Sequence, residues 1–180
     1  TGPIQVGDIV LGLGTESFGG EEGYKLMVSE HIEILSNHSR GVFYGTRTLL
    51  QLLKQGNLIK AGIAKDWPDY PERGLMVDVG RKFFSIAWLR SHIVELSYLK
   101  LNLMHLHLSD DLGLRIASEK HPEIVSDQSY SKSQIRDLIA LARDYHVQII
   151  PEIDVPGHTG WLKKSHPDLL LGSNSLGTHY

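Results

Sequence analysis

Apolar and polar residues alternate in two short stretches of the first third of the chain. Residues 24–28 and 31–35 are such stretches, and a polar turn separates them. This pattern predicts an antiparallel hairpin. Helical spacing follows over residues 43–53, where four leucines form an apolar stripe that ends before Gly56. The hairpin and the helix together predict a small α+β domain over residues 1–66.

From residue 74 onward the pattern changes to apolar runs that alternate with amphipathic helices. The runs at 75–79, 101–108 and 147–150 predict three strands. The segment 66–71 carries two prolines, which disfavour helix, and it separates these strands from the first domain. Strands joined through helices imply crossover connections and a parallel sheet. Neither a closed barrel nor an open sheet is complete within the chain, so the pattern alone leaves both architectures open.

Two helices are predicted between these strands. Ser85 is placed to cap the first helix, and Ser131 with Gln134 forms a capping box for the second. Both helices carry apolar residues at helical spacing, which are Leu89, Ile93, Leu96 and Leu99 in the first and Ile135, Leu138, Ile139, Ala142 and Tyr145 in the second.

Composition narrows the classes of function. The chain has 180 residues, of which 41% are hydrophobic and 22% charged, as in ordinary soluble globular proteins. A net charge of -3 without any Lys/Arg cluster gives no footprint for nucleic acid. The absence of cysteine excludes disulfides and thiolate metal sites. No apolar run reaches the ~18 residues that a membrane span needs. The chain begins with Thr1 rather than Met, so it is expected to be either processed or a piece of a longer protein. We also expect the first domain to be incomplete at its N-terminus.

The third predicted strand runs into the most informative segment of the chain. Residues 149–158 read Ile-Ile-Pro-Glu-Ile-Asp-Val-Pro-Gly-His. Prolines and a glycine end the strand and force a tight turn. Glu152, Asp154 and His158 therefore gather at the end of a buried strand, where ionisable side chains are costly unless they are paired or used. The segment indicates a functional site, although a satisfied strand end would have the same residues.

Polar residues also follow the other two predicted strands. Arg81 follows the first strand, and its fixed fork of donors suits neighbouring oxygens on a sugar or a carboxylate. It also suits an ion pair with Asp110 or Asp154. Asp110 and Asp111 follow the second strand. We favour Asp110 for the site, with Asp111 capping the turn at Gly113.

Two further chemistries stay open at this point. His105 and His107 share one face of a strand and would suit a metal-dependent barrel hydrolase, with Asp154 or His158 as a further ligand. Glu152 and Asp154 also share a strand face and would suit a retaining glycosidase, which uses two carboxylates ~5 Å apart. Packed core histidines and a supporting role for Glu152 are the alternative interpretations.

Five segments in this order resemble glycoside hydrolase family 20, the β-N-acetylhexosaminidases, and the resemblance runs through nearly the whole chain. Two of the segments resemble the family's small α+β domain, and three resemble the first three strands of its catalytic barrel. In the same order they are Gly-Glu-Glu-Gly-Tyr-Lys-Leu from residue 20, Gly-Val-Phe-Tyr-Gly-Thr-Arg-Thr-Leu-Leu-Gln-Leu-Leu from 41, Arg-Gly-Leu-Met-Val-Asp-Val-Gly-Arg-Lys-Phe-Phe from 73, Leu-Asn-Leu-Met-His-Leu-His-Leu-Ser-Asp-Asp from 101 and Pro-Glu-Ile-Asp-Val-Pro-Gly-His from 151.

The resemblance implies the fold class and the roles of four residues. The fold is α/β, with the first three βα units of a TIM (β/α)8 barrel over residues 67–180, truncated before the fourth strand. Arg81 rather than Arg73 matches the arginine that binds hydroxyls of the terminal sugar. The other implied substrate-binding residues are Asp110, Asp154 and His158. His105 and His107 become scaffold residues, and no metal or other cofactor is expected.

The sequence also departs from the family pattern. Leu112 and Leu114 stand where the family has Gln and Trp, in its motif Asp-Asp-Gln-Gly-Trp-Arg. This departure is expected to loosen the contacts of that loop.

A larger departure concerns the catalytic residues. The family's Asp-Glu pair follows the fourth strand, and no Asp-Glu dipeptide occurs in these 180 residues. In the family the Glu protonates the leaving oxygen and the Asp orients the substrate's acetamido group as the nucleophile. The pair is therefore expected beyond Tyr180. We accordingly expect no catalytic residue within this segment and no activity from the segment by itself.

The resemblance implies an exo-acting β-N-acetylhexosaminidase that acts on terminal N-acetylglucosamine or N-acetylgalactosamine. The expected partner is a carbohydrate substrate, with no nucleic acid and no membrane. The unfinished sheet is expected to favour self-association. The resemblance also favours a secreted or cell-surface location. A sugar-binding fragment without catalysis is a further interpretation of the segment.

Overall fold

The computed structural model describes residues 2–56, 58–163 and 165–169, and the chain forms two compact units. The first unit comprises residues 1–73 with 98–100, and the second comprises 74–97 with 101–180. In chain order the strands and α-helices are β1 (Ile9–Leu13), β2 (Tyr24–Val28), β3 (Ile32–Ser36), α1 (Ser39–Gln55), β4 (Gly62–Asp66), β5 (Gly74–Asp78), α2 (Ile86–Tyr98), β6 (Leu103–His107), β7 (Ser109–Asp110), β8 (Gly113–Leu114), α3 (Lys132–Asp144) and β9 (Gln148–Glu152).

A four-stranded mixed sheet forms the first unit, in the order β1-β3-β2-β4. The predicted hairpin is confirmed, because β2 and β3 pair antiparallel. β1 pairs parallel to β3, and β4 pairs antiparallel to β2. Neither of these two strands was predicted. Their side chains are largely exposed, so no clear buried face marks them in the sequence.

Helix α1 packs on this sheet and begins four residues earlier than the sequence predicts. The reason is His38, whose Nδ1 accepts a hydrogen bond from the backbone N–H of Arg40 and so caps the helix. The predicted end at Gly56 is confirmed. Leu49 is buried, but Leu50 and Leu53 are exposed, so the apolar stripe is narrower than expected.

A hydrogen-bonded network lies at the end of β4 in the first unit. The hydroxyl of Tyr24 donates to Oδ2 of Asp66 at 2.6 Å, and Nζ of Lys100 donates to the same oxygen at 2.7 Å. Burial acts to raise the pKa of Asp66, but the hydrogen bonds from Lys100 and Tyr24 outweigh it and hold that pKa below its ordinary value. Burial also raises the pKa of Tyr24. The network therefore holds a charged pair around a neutral phenol.

The second unit contains the parallel sheet that the sequence predicts. Its three strands lie in the order β5-β6-β9, and both pairings are parallel. Helices α2 and α3 connect them, and both predicted caps are confirmed. Oγ of Ser85 accepts the backbone N–H of Trp88, and Ser131 with Gln134 forms the capping box.

One face of this sheet packs against the helices. The side chains of Met104 and Leu106 are buried there among Leu89, Ile93 and Leu138. His105 and His107 alternate with these residues along β6, so they project from the opposite face. The sheet therefore separates an apolar core from a polar inner face.

Two of the apolar residues at helical spacing, Leu99 and Ile139, are exposed. Leu99 follows the last residue of α2, and Ile139 follows the buried Leu138, so the turn of ~100° per residue carries its side chain away from the core. In the part of the chain that the structure describes, no helix has the length and apolar character that crossing a membrane requires.

Candidate functional site

The carboxyl ends of β5, β6 and β9 lie side by side in one unit. Asp78, His107 and Glu152 occupy matching positions in the three paired strands. The polar segments that follow each strand therefore meet at the same edge of the sheet, which is where sites are built in parallel α/β folds. Arg81 and His158 both contact Asp110 here, and Asp154 contacts His107 at the same edge.

Arg81 lies three residues beyond β5 and contacts two carboxylates. Its Nη1 donates to Oδ2 of Asp78 at 2.8 Å, and its backbone N–H donates to Oδ1 of the same residue at 2.9 Å. Its Nη2 lies 2.9 Å from Oδ2 of Asp110. The Arg81 side chain is 54% exposed. Its guanidinium is therefore held in place from one side while donors remain accessible from the other.

Asp110 is the buried centre of the cluster, with only 3% of its surface exposed. Its Oδ1 accepts the backbone N–H of Asp111. Its Oδ2 lies 3.1 Å from Nδ1 of His158, in addition to the contact with Arg81. Neither nitrogen is aligned for a hydrogen bond, and no described residue donates one to Oδ2. The contact with Arg81 is an ion pair, and Oδ2 keeps hydrogen-bonding capacity that a buried carboxylate oxygen usually fills.

Asp154 and His158 come from the segment that follows β9. Oγ of Ser109 accepts the backbone N–H of Asp154, and this hydrogen bond fixes the start of the segment. Oδ2 of Asp154 lies 3.5 Å from Nε2 of His107. His158 has a φ of 52°, in the left-handed region that few residues other than glycine adopt. Its ring lies edge-on to that of His107, with 6.0 Å between the centroids.

Asp111 points away from this cluster. It is exposed, and its Oδ1 accepts the backbone N–H of Gly160. The predicted cap at Gly113 is therefore wrong, because the carboxylate of Asp111 instead fastens the segment after β9. Of the two adjacent aspartates, Asp110 is the one that contacts Arg81 and His158.

Sequence reasoning missed Arg115, which supports the site from below. Its buried guanidinium donates to the backbone carbonyls of Val79 at 3.1 Å, Gly80 at 3.1 Å and Gln128 at 3.2 Å. These bonds hold the chain that leads from β5 to Arg81. The signal that could have identified Arg115 is its place at the end of the segment Asp-Asp-Leu-Gly-Leu-Arg, which matches the last residue of the motif Asp-Asp-Gln-Gly-Trp-Arg.

A close approach of two backbones also positions the site. A Cβ added to Gly80 would lie 2.7 Å from the carbonyl carbon of Ser109 and 2.8 Å from the nitrogen of Asp110. Only glycine allows the two strand ends to approach this closely. Arg81 and Asp110 are thereby brought within ion-pair distance.

The inner face of the sheet carries the residues of the two alternative chemistries. Nε2 of His105 contacts Oε2 of Glu152, and Asp154 lies beside His107, so each carboxylate has its own histidine partner. This pairing is compatible with a supporting role for Glu152, which stays a prediction.

Potential metal ligands also converge at this edge of the sheet. Ligand atoms lie within 4.8 Å of one another in three overlapping groups, which are Asp78–His107–Asp110, His107–Glu152–Asp154 and Asp110–Asp111–His158. Among the described residues His105 belongs to none of these groups. The proposed pair of His105 and His107 as joint metal ligands is therefore not assembled.

The two leucines that depart from the family motif occupy different environments. Leu112 is exposed at the tip of the turn between β7 and β8, whereas Leu114 is buried beneath it. Leu114, which is smaller than the Trp of the motif, is thus packed beneath the turn, and Leu112 presents an apolar surface to solvent.

The expected position of the catalytic Asp-Glu pair is beyond Tyr180. The structure describes the chain only as far as residue 169, so Tyr180 lies outside the described residues. The placement of the pair after a fourth strand therefore stays a prediction.

Comparison with known families covers nearly the whole chain. The family model described as "Glycosyl hydrolase family 20, domain 2" matches residues 1–67. The model described as "Glycosyl hydrolase family 20, catalytic domain" matches residues 70–179. The two matches follow one another in the order of the two units.

Individual relatives agree with the family models. A beta-hexosaminidase of Porphyromonas gingivalis is 32% identical over 89% of this chain, and one of Emericella nidulans is 35% identical over 87%. The chain spans only 24% and 28% of the length of these two relatives.

Solved structures give the same result. The GH20 beta-N-acetylhexosaminidase of Streptomyces coelicolor A3(2) matches with a TM-score of 0.83 and 31% identity, over 92% of this chain and 38% of that one. The GH20 exo beta-N-acetylglucosaminidase of Vibrio harveyi, solved with N-acetylglucosamine, matches with a TM-score of 0.78 and 34% identity, over 92% and 30%. The predicted fold class is confirmed as a small α+β unit followed by the first part of a TIM barrel. The chain belongs to glycosyl hydrolase family 20.

Proposed function

We propose that this chain is part of an exo-acting β-N-acetylhexosaminidase. The enzyme removes terminal N-acetylglucosamine or N-acetylgalactosamine by retaining catalysis, in which the substrate's own acetamido group is the nucleophile. Family membership and the names of the relatives support this activity. The structure of a relative with N-acetylglucosamine supports a carbohydrate as the substrate. The proposed domains are residues 1–66 and 67–180, with the fourth barrel strand beyond Tyr180.

The observation that carries the proposal is the cluster of Arg81, Asp110 and His158. A sugar hydroxyl both donates and accepts a hydrogen bond. Arg81 is 54% exposed and offers N–H donors with fixed directions, and the buried carboxylate of Asp110 holds its guanidinium in place. Two neighbouring hydroxyls on a pyranose ring can therefore bind as a pair by accepting hydrogen bonds from Arg81.

Burial makes these contacts selective. Asp110 is almost fully buried, so its interaction with Arg81 forms in a medium of low dielectric and is stronger than in water. A ligand that covers Arg81 but lacks the matching hydroxyl leaves an N–H donor without a hydrogen bond, at a cost of ~1–3 kcal/mol. The cluster thus favours a terminal sugar with free hydroxyls, which fits exo-acting hydrolysis.

Asp154 and His107 complete the proposed pocket. Asp154 contacts His107, and its side chain is 25% exposed, so a ligand can reach it. His158 reaches Asp110 from the same segment. We assign Arg81, Asp110, Asp154 and His158 to binding of the terminal sugar, and we assign no catalytic residue to this segment. The general acid and the residue that orients the acetamido group are proposed to lie beyond Tyr180, after the fourth strand, by the family resemblance.

The decisive experiment measures hydrolysis of a nitrophenyl β-N-acetylglucosaminide. The 180-residue chain is compared with a version of the protein that extends beyond a fourth strand. We expect turnover only from the extended protein, because a general acid contributes ~10²–10⁴-fold to the rate. Turnover by the 180-residue chain would place the chemistry on its own carboxylates, Glu152 and Asp154, and would overturn the proposed mechanism.

A further inference from the structure

A second cluster of ionisable side chains lies outside the proposed sugar pocket. It consists of His121, Glu123 and His166, and it shares no residue with the pocket. His121 and Glu123 come from the connection between β8 and α3, and His166 comes from the segment after β9. All three residues belong to the second unit.

The three side chains converge on one point. Oε1 of Glu123 lies 3.1 Å from Nδ1 of His121 and 3.0 Å from Nε2 of His166. The three atoms lie within 4.8 Å of one another. In a tetrahedral zinc site with bonds of ~2.0–2.1 Å, neighbouring ligand atoms are separated by ~3.3–3.4 Å. Two of the three separations thus need to widen by only a few tenths of an ångström.

The orientation of the rings suits a coordination site as well. The two imidazole rings lie at 80° to one another, with 6.0 Å between their centroids. They therefore approach the carboxylate from different directions, as ligands around one ion must. A lone hydrogen-bonded pair of histidines would not require two perpendicular rings to share one carboxylate oxygen.

We propose that His121, Glu123 and His166 form a binding site for a divalent cation of the zinc type. Two imidazoles and one carboxylate are a ligand set that zinc favours. Each ring binds as a neutral imidazole through the nitrogen that faces Oε1, so any proton on that nitrogen moves to solvent or to the other ring nitrogen when the cation binds. All three side chains are partly exposed, so water completes the coordination sphere.

The connection between the two segments is already in place without the cation. Oγ of Ser165 donates to the backbone carbonyl of Glu123 at 2.9 Å and so joins the two segments. Within the segment before α3, the backbone N–H of His121 donates to Oγ of Ser118. The ligands are therefore largely preorganised, which reduces the ordering that binding must induce.

The proposed cation has a structural role. The segment that carries His166 also carries Asp154 and His158, and its described part contains only short 3-10 turns after β9. A bound cation would fasten this segment to the connection that leads into α3. We therefore expect the cation to raise the thermal unfolding temperature, and this effect does not depend on whether the protein hydrolyses a sugar.

The test measures binding of Zn²⁺ to the intact, chelator-treated protein by calorimetry and by competition with a chromophoric chelator. We expect one Zn²⁺ per chain and at least tenfold weaker binding in the variants His121→Ala and His166→Ala. The variant Glu123→Gln keeps the shape of the side chain and removes its charge, so it should also weaken binding. A matched control is His31→Ala, which alters a histidine in the first unit outside every group of potential ligands among the described residues.

Two results would overturn the proposal. One is unchanged Zn²⁺ affinity in both His121→Ala and His166→Ala, which would reduce the cluster to a hydrogen-bonded surface contact. The other is affinity that is lost in His107→Ala but kept in His166→Ala, which would place the ion in the sugar pocket. Co²⁺ bound in place of Zn²⁺ should give visible absorption bands in the parent protein, and these bands should be lost in His166→Ala. An unchanged circular dichroism spectrum of that variant would show that the loss comes from coordination and not from a folding defect.

Discussion

Arg81 and Asp110 face each other at 2.9 Å across the ends of two strands, and they differ sharply in their contact with solvent. The carboxylate is buried, whereas the guanidinium is reached from outside. A ligand that covers Arg81 therefore removes water from the exposed half of an ion pair whose other half, Asp110, is already buried. The lower local dielectric then strengthens the attraction between Arg81 and Asp110 when the ligand binds.

The variant Arg81→Ala is expected to lower kcat/KM for a nitrophenyl β-N-acetylglucosaminide in the intact enzyme by about 10- to 100-fold. Each hydrogen bond from a charged group contributes ~1.5–3 kcal/mol. We expect KM to rise and kcat to fall, because the sugar is held less well in both the ground state and the transition state. The control is Arg90→Ala, which removes an exposed arginine from α2. Unchanged kinetics in Arg81→Ala would remove Arg81 from the proposed pocket.

The pairing of Arg81 with Asp110 predicts that their substitutions are not additive. In a double-mutant cycle of Arg81→Ala and Asp110→Asn, we expect a coupling energy of about 0.5–3 kcal/mol in kcat/KM. The control cycle combines Arg90→Ala with Asp137→Asn, two exposed residues on different helices. It should be additive within ~0.5 kcal/mol. Additivity in the Arg81–Asp110 cycle would show that the two residues act separately.

The variant Gly80→Ala is expected to destabilise the protein and to reduce its activity together. An added methyl group would meet the backbone of Ser109 at 2.7 Å, and the backbone cannot rotate away as a flexible side chain would. Overpacking of this kind costs ~1–3 kcal/mol, which urea unfolding can measure. In Gly14→Ala the added methyl meets no atom within 4 Å, so that variant is the control. Equal stability of the two variants would contradict the close approach.

Asp66 is expected to make stability depend on pH. Its pKa in the folded protein is held below the ordinary value by Lys100 and Tyr24, despite burial. Its contribution to the free energy of unfolding is therefore complete above the pKa of the unfolded carboxylate, ~3.9, and is lost as the pH falls through the lower folded-state pKa. We expect Asp66→Asn to be less stable than the parent at neutral pH.

The difference between the parent and Asp66→Asn should shrink below roughly pH 4, because the parent carboxylate then becomes protonated as well. Urea unfolding at neutral and at acidic pH measures this change. Asp69→Asn alters an exposed carboxylate nearby and controls for general charge effects. A stability difference that stays constant down to strongly acidic pH would contradict the assigned network.

The 180-residue chain is expected to self-associate in solution. Within the described part of the second unit, β5 and β9 are the outer strands of the sheet, and Leu75, Met76 and Ile150 are exposed on them. Unpaired edges and exposed apolar surface favour association. Sedimentation at increasing concentration should show growing particle mass, and Met76→Lys should reduce it. Ile139→Lys changes an exposed apolar residue on α3 and should not. A monomer at every concentration would contradict this expectation.

Local signals in the sequence predicted much of the second unit. The capping box at Ser131 and the cap at Ser85 act within three residues, and the apolar runs mark strands that are buried against helices. These features depend on neighbours along the chain, so they can be read without the fold. The resemblance to a family supplied the barrel, which the pattern of residues left open.

Features that depend on distant contacts were not predictable in this way. Strand β4 was missed because most of it is exposed, and it is recognised only by its pairing with β2. Arg115 was missed because its partners are carbonyl groups, which have no signature in a sequence. The contact between Glu123 and His166 joins residues 43 positions apart, and neither residue belongs to a motif.

Strand β6 and the two residues that follow it divide their side chains between two tasks. Met104, Leu106 and Leu108 pack against the helices, while His105, His107 and Ser109 project towards the polar face. His107 and Ser109 are nevertheless as buried as the apolar residues between them, and Oγ of Ser109 holds the start of the segment after β9. A substitution at either position is therefore expected to disturb both the fold and the proposed pocket, so along this strand a change in recognition carries a cost in stability.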